Sequence, residues 1–386
     1  MFSGQAFPQF FGRITARLHG ARPATESGDP SGPRADTTPS CPYVLAPTEA
    51  TPVMPHPDLP GLPVGARLQD PLLVVDVEHR GGEHPHTILT LGNASGRLAT
   101  APFWPAEAAK VAGIRRGSVV QVIGTISSYR ERRQLAVDSI RVLPRDQVDW
   151  RALMPSIGDV GRWWKRLDEW RGRVAGPRLA RTLALFYDDP DFRSRYEQCP
   201  ASTAGHHAAL GGLLKHTVEV AHIALATARL YPHADADLVL AGVLLHDIGK
   251  LDSSTWDGAF EMTVPGAVIG HVVLGAFQLD RRVRAERPMP CTETELLLLH
   301  HLVLSHHGKL EFGAPVVPMT LEAEIIHYAD NASAKTASMD QALDDPENFP
   351  DDAAVSTRAV WQLDRRRVWR ADSDWGAPES EEKNSD

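Results

Sequence analysis

Cysteine is scarce in this chain, and what there is stands alone. Cys41, Cys199 and Cys291 are its three cysteines, and none belongs to a CxxC pair. That argues against a disulfide framework and a cysteine-built zinc site, and it suits a reducing cytoplasm. Long apolar runs are missing as well. None reaches the roughly 18 residues a membrane span needs, so no membrane partner is expected. Acids are absent from the start of the chain, where Arg13, Arg17 and Arg22 stand. This faintly resembles a transit peptide, but no amphipathic or cleavage-like pattern accompanies it, and a loose extension is the simpler reading.

Charge of one sign is not lacking overall: the formal net charge is −9. Its distribution is uneven. Residues 62–146 carry 11 Lys/Arg against 8 Asp/Glu, or +3, whereas residues 341–386 carry 6 against 12, or −6. The global sign therefore does not exclude a nucleic-acid partner, because a local basic face is what binds phosphate. An ordinary solvated surface would look the same.

What the chain has in quantity is histidine, 17 in all, mostly between His206 and His327. The apolar run Ala241–Leu245 ends in adjacent His246 and Asp247, followed by Gly249 and Lys250. Burying a His–Asp doublet at the end of an apolar helix is costly unless its charge is matched, and a metal ion matches it well. Further ligand types fall on separate helical segments: His216, His271, His306 or His307, and Asp330. A lone histidine on an apolar helix is more often a satisfied core residue. One histidine or aspartate on each of five helices is harder to explain by packing. Imidazole and carboxylate suit Mn, Fe, Zn or Mg, and Asp247 is placed to bridge two ions. Such a pair activates water and steadies the leaving oxygen of a phosphoester. Lys250, one turn past Asp247, could hold a phosphate oxygen. His206, His207 and His301 could contact substrate or orient a ligand. His222, His233, His300 and His327 read as surface or supporting residues.

The expected organisation is multidomain α+β. Residues 1–60 are rich in Pro, Gly, Ser and Thr and read as a disordered extension. Residues 62–146 hold five short β-branched runs and one short helix, Pro105 to Ala112, the composition of an OB-fold barrel. Such a surface stacks bases on aromatics while cations track phosphates. Phe103, Trp104, Tyr129, Arg130, Arg132 and Arg133 are its candidates. Phe103 and Trp104 read equally well as core or rim packing, and Tyr129 with its arginines as an exposed hairpin tip. Residues 147–200 form a helical connector whose Trp163, Trp164, Leu167 and Trp170 pack on the next domain. Residues 201–340 are all helical, with Gly211 and Gly212 marking a close approach. Residues 341–386 form an acidic, largely flexible tail, with Trp361 and Trp369 as a short docking element.

Leu245-His-Asp-Ile-Gly-Lys250 resembles the signature of the HD-domain metal-dependent phosphohydrolases. The strings Pro200 to His216, Ser305 to Pro315 and His327 to Lys335 are similar to those of the bacterial YhaM-type 3′→5′ exoribonucleases, over about 62–340. Those proteins pair an N-terminal OB-fold with a C-terminal HD domain. The segments Leu89–Leu98 and Gly124–Leu135 resemble the OB-fold domains of the tRNA-anticodon type. The resemblance implies His216, His246, Asp247, His271, His306 and Asp330 as metal ligands. His307 would be a further ligand or a contact to the scissile phosphate. It also implies two divalent ions, manganese ahead of Fe, Co, Mg or Zn, and a homo-oligomer. The implied substrate is single-stranded RNA, with single-stranded DNA as an extension, hydrolysed to nucleoside monophosphates. Two other readings stay open. One is a phosphohydrolase acting on a small nucleotide or cyclic dinucleotide, with the OB domain regulatory. Gly313-Ala-Pro315 is similar to the Gly-Tyr-Pro of the cyclic-dinucleotide branch, from which Ala314 departs. The other is a non-catalytic single-strand-binding protein.

Overall fold

In the computed structural model, residues 56–371 are described apart from Glu131, Asp351 and Asp352. Most of the expected N-terminal extension and the last fifteen residues of the acidic segment lie outside them. The first element is a curved antiparallel sheet: β1 (Arg67–Arg80), β2 (His86–Asn93), β3 (Gly96–Ala99), β4 (Val119–Tyr129) and β5 (Arg132–Leu143), in the order β3-β2-β1-β4-β5. β1 is long enough to serve two partners. Its first half pairs with β4 and its second with β2, and an irregularity between Val74 and Asp76 marks the change. A parallel bridge between Thr100 and Leu135 closes the sheet, with the Ala101 amide donating to the Leu135 carbonyl at 2.8 Å. A 3-10 turn (Pro105–Glu107) and α1 (Ala108–Val111) sit between β3 and β4. This is an OB-like barrel. Alternation fills it: Val120, Val122 and Ile126 of β4 point inward against Leu72, Leu89 and Leu135.

The rest is helical apart from one short two-stranded ribbon. α2 (Val160–Arg171), α3 (Pro177–Tyr187) and α4 (Pro190–Tyr196) precede α5 (Gly212–Ala228) and α6 (Ala236–Leu245). Then come α7 (Lys250–Ser253), the two-stranded ribbon β6 (Ser254–Thr255) and β7 (Glu261–Met262), α8 (Val264–Ile269), α9 (His271–Ala285), α10 (Glu293–Ser305) and α11 (Leu321–Asp344). α6 is buried from Leu238 to Leu245, so it forms the axis of the bundle. Trp163, Trp164, Leu167 and Trp170 of α2 join its core. None of the helices described is long and apolar enough to cross a membrane.

Barrel and bundle share a small apolar seam. Leu73, Val119 and Leu143 from the barrel meet Leu153, Met154 and Phe260. Arg116 pairs with Glu261 at 3.2 Å and Arg145 with Asp257 at 2.7 Å across it.

Four elements differ from the sequence reading. Residues 201–340, read as all helical, contain the β6–β7 ribbon. The apolar helix read as ending in the His246–Asp247 doublet stops at Leu245, and α7 begins at Lys250, so the doublet lies on the turn between them. The last helix runs past residue 340, where the helical region was read as ending, to Asp344. Residues 353–371, read as part of a flexible tail, turn back onto it: Leu363 and Val368 are buried with Ala342 and Phe349, and Lys335 pairs with Asp364 at 2.7 Å. Trp361 and Trp369 are exposed, so the smaller apolar residues between them do the docking.

Candidate metal centre

The helix ends converge on Asp247. His246 follows the last turn of α6, His216 lies in the second turn of α5, His271 opens α9, His306 ends α10 and Asp330 lies within α11. Asp247 Oδ2 is 3.6 Å from His216 Nε2, 3.2 Å from His246 Nε2 and 2.6 Å from Lys250 Nζ. Asp247 Oδ1 is 3.3 Å from His271 Nε2 and 3.7 Å from His306 Nε2. Asp330 Oδ1 reaches His216 Nε2 at 3.0 Å. The carboxylate thus divides the imidazoles into two sets, one facing each oxygen.

Close packing makes this convergence achievable. A Cβ on Gly249 would lie 2.0 Å from the His271 carbonyl and 2.4 Å from the Gly275 amide nitrogen. Only glycine lets the turn after the doublet touch the start of α9. Gly212 plays the same part for α5, its missing Cβ falling 1.9 Å from the His207 carbonyl.

The rings are aimed from behind. Nδ1 of His246 donates to the Val243 carbonyl at 2.6 Å, and Nδ1 of His306 to the Val303 carbonyl at 2.6 Å. A proton held on Nδ1 leaves Nε2 as a lone pair directed at the centre. His216 Nδ1 meets Ser333 Oγ at 3.2 Å; Ser333 donates to Glu219 Oε2 at 3.1 Å, and His207 Nε2 meets that same oxygen at 2.7 Å. His327 Nδ1 donates to the His306 carbonyl at 3.0 Å, bracing the end of α10.

Electrostatics prepare the same outcome. Burial lowers the pKa of His216, sends that of His271 to about 3 and that of His306 well below its usual value. These imidazoles are neutral at pH 7, as ligation requires. His246 shifts the other way: burial lowers it, but Asp247, Asp330 and the Val243 carbonyl together raise it by more. Burial also opposes ionisation of Asp247, but Lys250, His246 and His271 hold it well below the ordinary carboxylate range.

The Nε2 atoms of His216, His246, His271 and His306 and both Asp247 oxygens are buried without a hydrogen bond. Each such group costs about 1–3 kcal/mol. A cation satisfies all of them at once. The ligand atoms of His216, His246 and Asp247 lie within 4.8 Å of one another, as do those of His271, His306 and His307. This nitrogen and oxygen set fits a divalent metal.

Residues 213–335 match the family model described as HD domain. The chain is 32% identical over 262 residues to the 3′-5′ exoribonuclease YhaM of Bacillus subtilis (strain 168), an alignment covering 67% of this chain and 82% of that protein. It is 33% identical over 264 residues to the protein of the same name from Bacillus pumilus (strain SAFR-032), with the same coverage. The chain belongs to the YhaM exoribonuclease family. Among solved structures, a chain described as "Structure and Conformational Change of a Replication Protein A Heterotrimer Bound to ssDNA" is 21% identical, with coverage of 24% of this chain and 74% of that one. Its TM-score of 0.18 is too low to carry an argument.

The strand-binding candidates of this YhaM-family chain fare unequally. Phe103 is 4% exposed and belongs to the barrel core; the bridge of its backbone to Thr87 turns the ring inward, away from any base. Arg133 donates to the carbonyls of Leu59 and Pro60, so its guanidinium ties down the chain entering the barrel rather than a phosphate. Trp104, 46% exposed, packs on His86 with ring centroids 5.0 Å apart. Tyr129, 60% exposed, stands at the β4–β5 tip with Arg130 over its ring at 5.4 Å and Arg132 exposed beside it. His206 lies 5.2 Å from the His216 ring with its Nε2 unpartnered, whereas His207 is buried against Glu219. His301 accepts from the Met319 amide at 2.9 Å and is structural. His307 meets His306 edge to face with ring centroids 4.4 Å apart, and its Nδ1 donates to the Phe312 carbonyl at 2.7 Å. Glu219 and Ser333 escaped notice in the sequence. Their only signal was helical register: Glu219 lies three residues past His216 and Ser333 three past Asp330.

Proposed function

We propose that this chain is a metal-dependent 3′→5′ exoribonuclease, hydrolysing single-stranded RNA to nucleoside monophosphates. The curated relatives carry that activity in their name. His216, His246, Asp247, His271, His306 and Asp330 would hold two divalent ions, with manganese as the first metal to test. The observation that carries this reading is the division of the imidazoles between the two oxygens of Asp247. A carboxylate so placed would help to hold both cations.

Bound ions would supply Lewis acidity for attack on a phosphodiester. The chain's own residues do the rest. Glu219 and Ser333 fix the His216 ring, and the Val243 and Val303 carbonyls fix those of His246 and His306. Lys250 neutralises Asp247 and lies where a terminal phosphate would sit. His206 offers an unpartnered ring nitrogen beside His216, and His307 forms the rim beside His271 at 4.9 Å. Trp104, Tyr129, Arg130 and Arg132 are the accessible groups on the barrel for bases and phosphates.

A time course on 5′-labelled and 3′-labelled RNA, with Mn, Mg or chelator, tests substrate, polarity and metal together. A ladder shortening from the 3′ end, abolished by chelator, is expected. Asp247→Asn should reduce hydrolysis to background and lower the bound metal measured by elemental analysis. Undiminished turnover in that variant would refute the centre.

A further inference from the structure

Around the seam between barrel and bundle lie three cavities that share walls. Arg97 and Arg116 line the first, beside Thr203, three residues before His206. Arg116 also lines the second, about 320 Å³, together with Arg115 and Arg145. Asp257 continues from the second into the third, about 650 Å³, where Trp150 and Trp256 stand. Leu251 and Asp252, which follow Lys250 in the chain, also line that third cavity. Arg145 lies over the Trp150 ring at 4.5 Å.

The arginines divide into two kinds. Arg116 and Arg145 are spent on the seam, through Glu261 and Asp257. The guanidinium groups of Arg97 and Arg115 make neither a hydrogen bond nor an ion pair among the described residues. Arg97 is open to solvent on one side, yet its buried surroundings and the Arg116 charge lower its pKa; Asp76 opposes this without pairing with it. Arg116 is already matched by Glu261, so Arg97 is the unmatched charge of the first cavity, and an anion would match it. Arginines interleaved with aromatics along a groove are what a single strand needs: cations for its phosphates and rings for its bases.

We propose that this seam is a second binding track for the phosphodiester backbone of the RNA, with Arg97 and Arg115 contacting phosphates upstream of the terminus being cut. The proposal rests on the exoribonuclease reading. The first cavity is narrow, about 30 Å³, so a phosphate lies across its mouth while the strand follows the wider two. The track runs along the barrel's docking edge, and the β4–β5 tip is a separate contact.

The test uses the full metal-loaded chain, as wild type, Arg97→Gln, Arg115→Gln and the double variant. Binding of a phosphorothioate RNA of about 20 nucleotides, which resists hydrolysis, is read by fluorescence anisotropy across a salt series, where each lost phosphate contact lowers the log–log salt slope by about 0.7. The double variant should lower the slope by about 1.4 and weaken binding roughly fivefold or more at moderate salt. Arg97→Lys should restore its share of the slope, and thermal melting should be unchanged or raised, since no ion pair is lost. KM for unmodified RNA of the same length should rise while turnover of a dinucleotide stays constant. An unchanged salt slope and affinity in the double variant overturn the track. So does a variant that loses only competition by a nucleoside monophosphate, which would make the seam a mononucleotide site. Hydrolysis of unmodified RNA by wild type is read in parallel. Its absence defeats the exoribonuclease reading, while the anisotropy series still decides the track.

Discussion

At the scale of single residues, the same side-chain type takes opposite parts according to where its backbone points it. Phe103 and Tyr129 are both aromatic residues of the barrel. Phe103 fills the core, and Tyr129 stands clear of it. Phe103→Ala should cost about 3–5 kcal/mol of stability, as truncation of a packed ring does. Tyr129→Ala should leave the melting curve in place and weaken RNA binding by about 1–3 kcal/mol if bases stack there. Denaturation and oligonucleotide titration of both variants check the contrast; equal effects on stability would reverse the assignment. The histidines show the same divergence. His301 and His306 lie on one helical segment, yet one holds the Met319 amide and the other faces Asp247.

At the scale of elements, the centre depends on where helices stop. α6 ends one residue before the doublet, α9 begins on His271 and α10 ends one residue before His306. Gly249 sets the first of these ends against the second. Gly249→Ala would force backbone apart, with an expected cost of about 1–3 kcal/mol or more, and would draw His271 away from Asp247. Lower metal affinity alongside lower stability, measured by titration and melting, is the expected signature. α10 is anchored at its other end by a capping box of Thr292 and Glu295. Hydrogen bonds from Arg178, and then from the Thr292 backbone, bring the Glu295 pKa to about 2. Its folded value lies below the unfolded value of about 4.3, so its contribution is present above that pH and fades as pH falls toward about 2. Much of this carboxylate is solvated, which keeps the effect modest. In Glu295→Gln the melting temperature should change less steeply with acid across that window. A curve parallel to wild type would show that the pair contributes nothing.

At the scale of the whole molecule, one centre joins α5, α6, α9, α10 and α11, so its occupancy bears on the entire bundle. Metal bound to the folded chain alone stabilises it by about 2.7 kcal/mol at a hundredfold excess over its Kd. Calorimetry should therefore show a melting temperature that rises with added Mn and falls with chelator. Melting that ignores both would mean that no ion is held. The barrel docks through Leu73, Val119 and Leu143 onto Phe260 of the ribbon that follows α7. Barrel and metal centre are thereby attached to the same short stretch of chain.

The sequence by itself determined the candidate histidines and aspartates and the barrel's strand count. Apolar periodicity and the His–Asp doublet are local properties, readable without knowing what packs against what. Tertiary structure decided the rest: that Asp247 offers one oxygen to each set of imidazoles, that Glu219 and Ser333 steady His216, that Phe103 and Arg133 serve the barrel, and that Arg97 meets Arg116 at the seam. Each of these joins residues far apart in the chain. Burial and partner are properties of the assembled chain, because the same side chain is core, ligand or surface according to what folds against it.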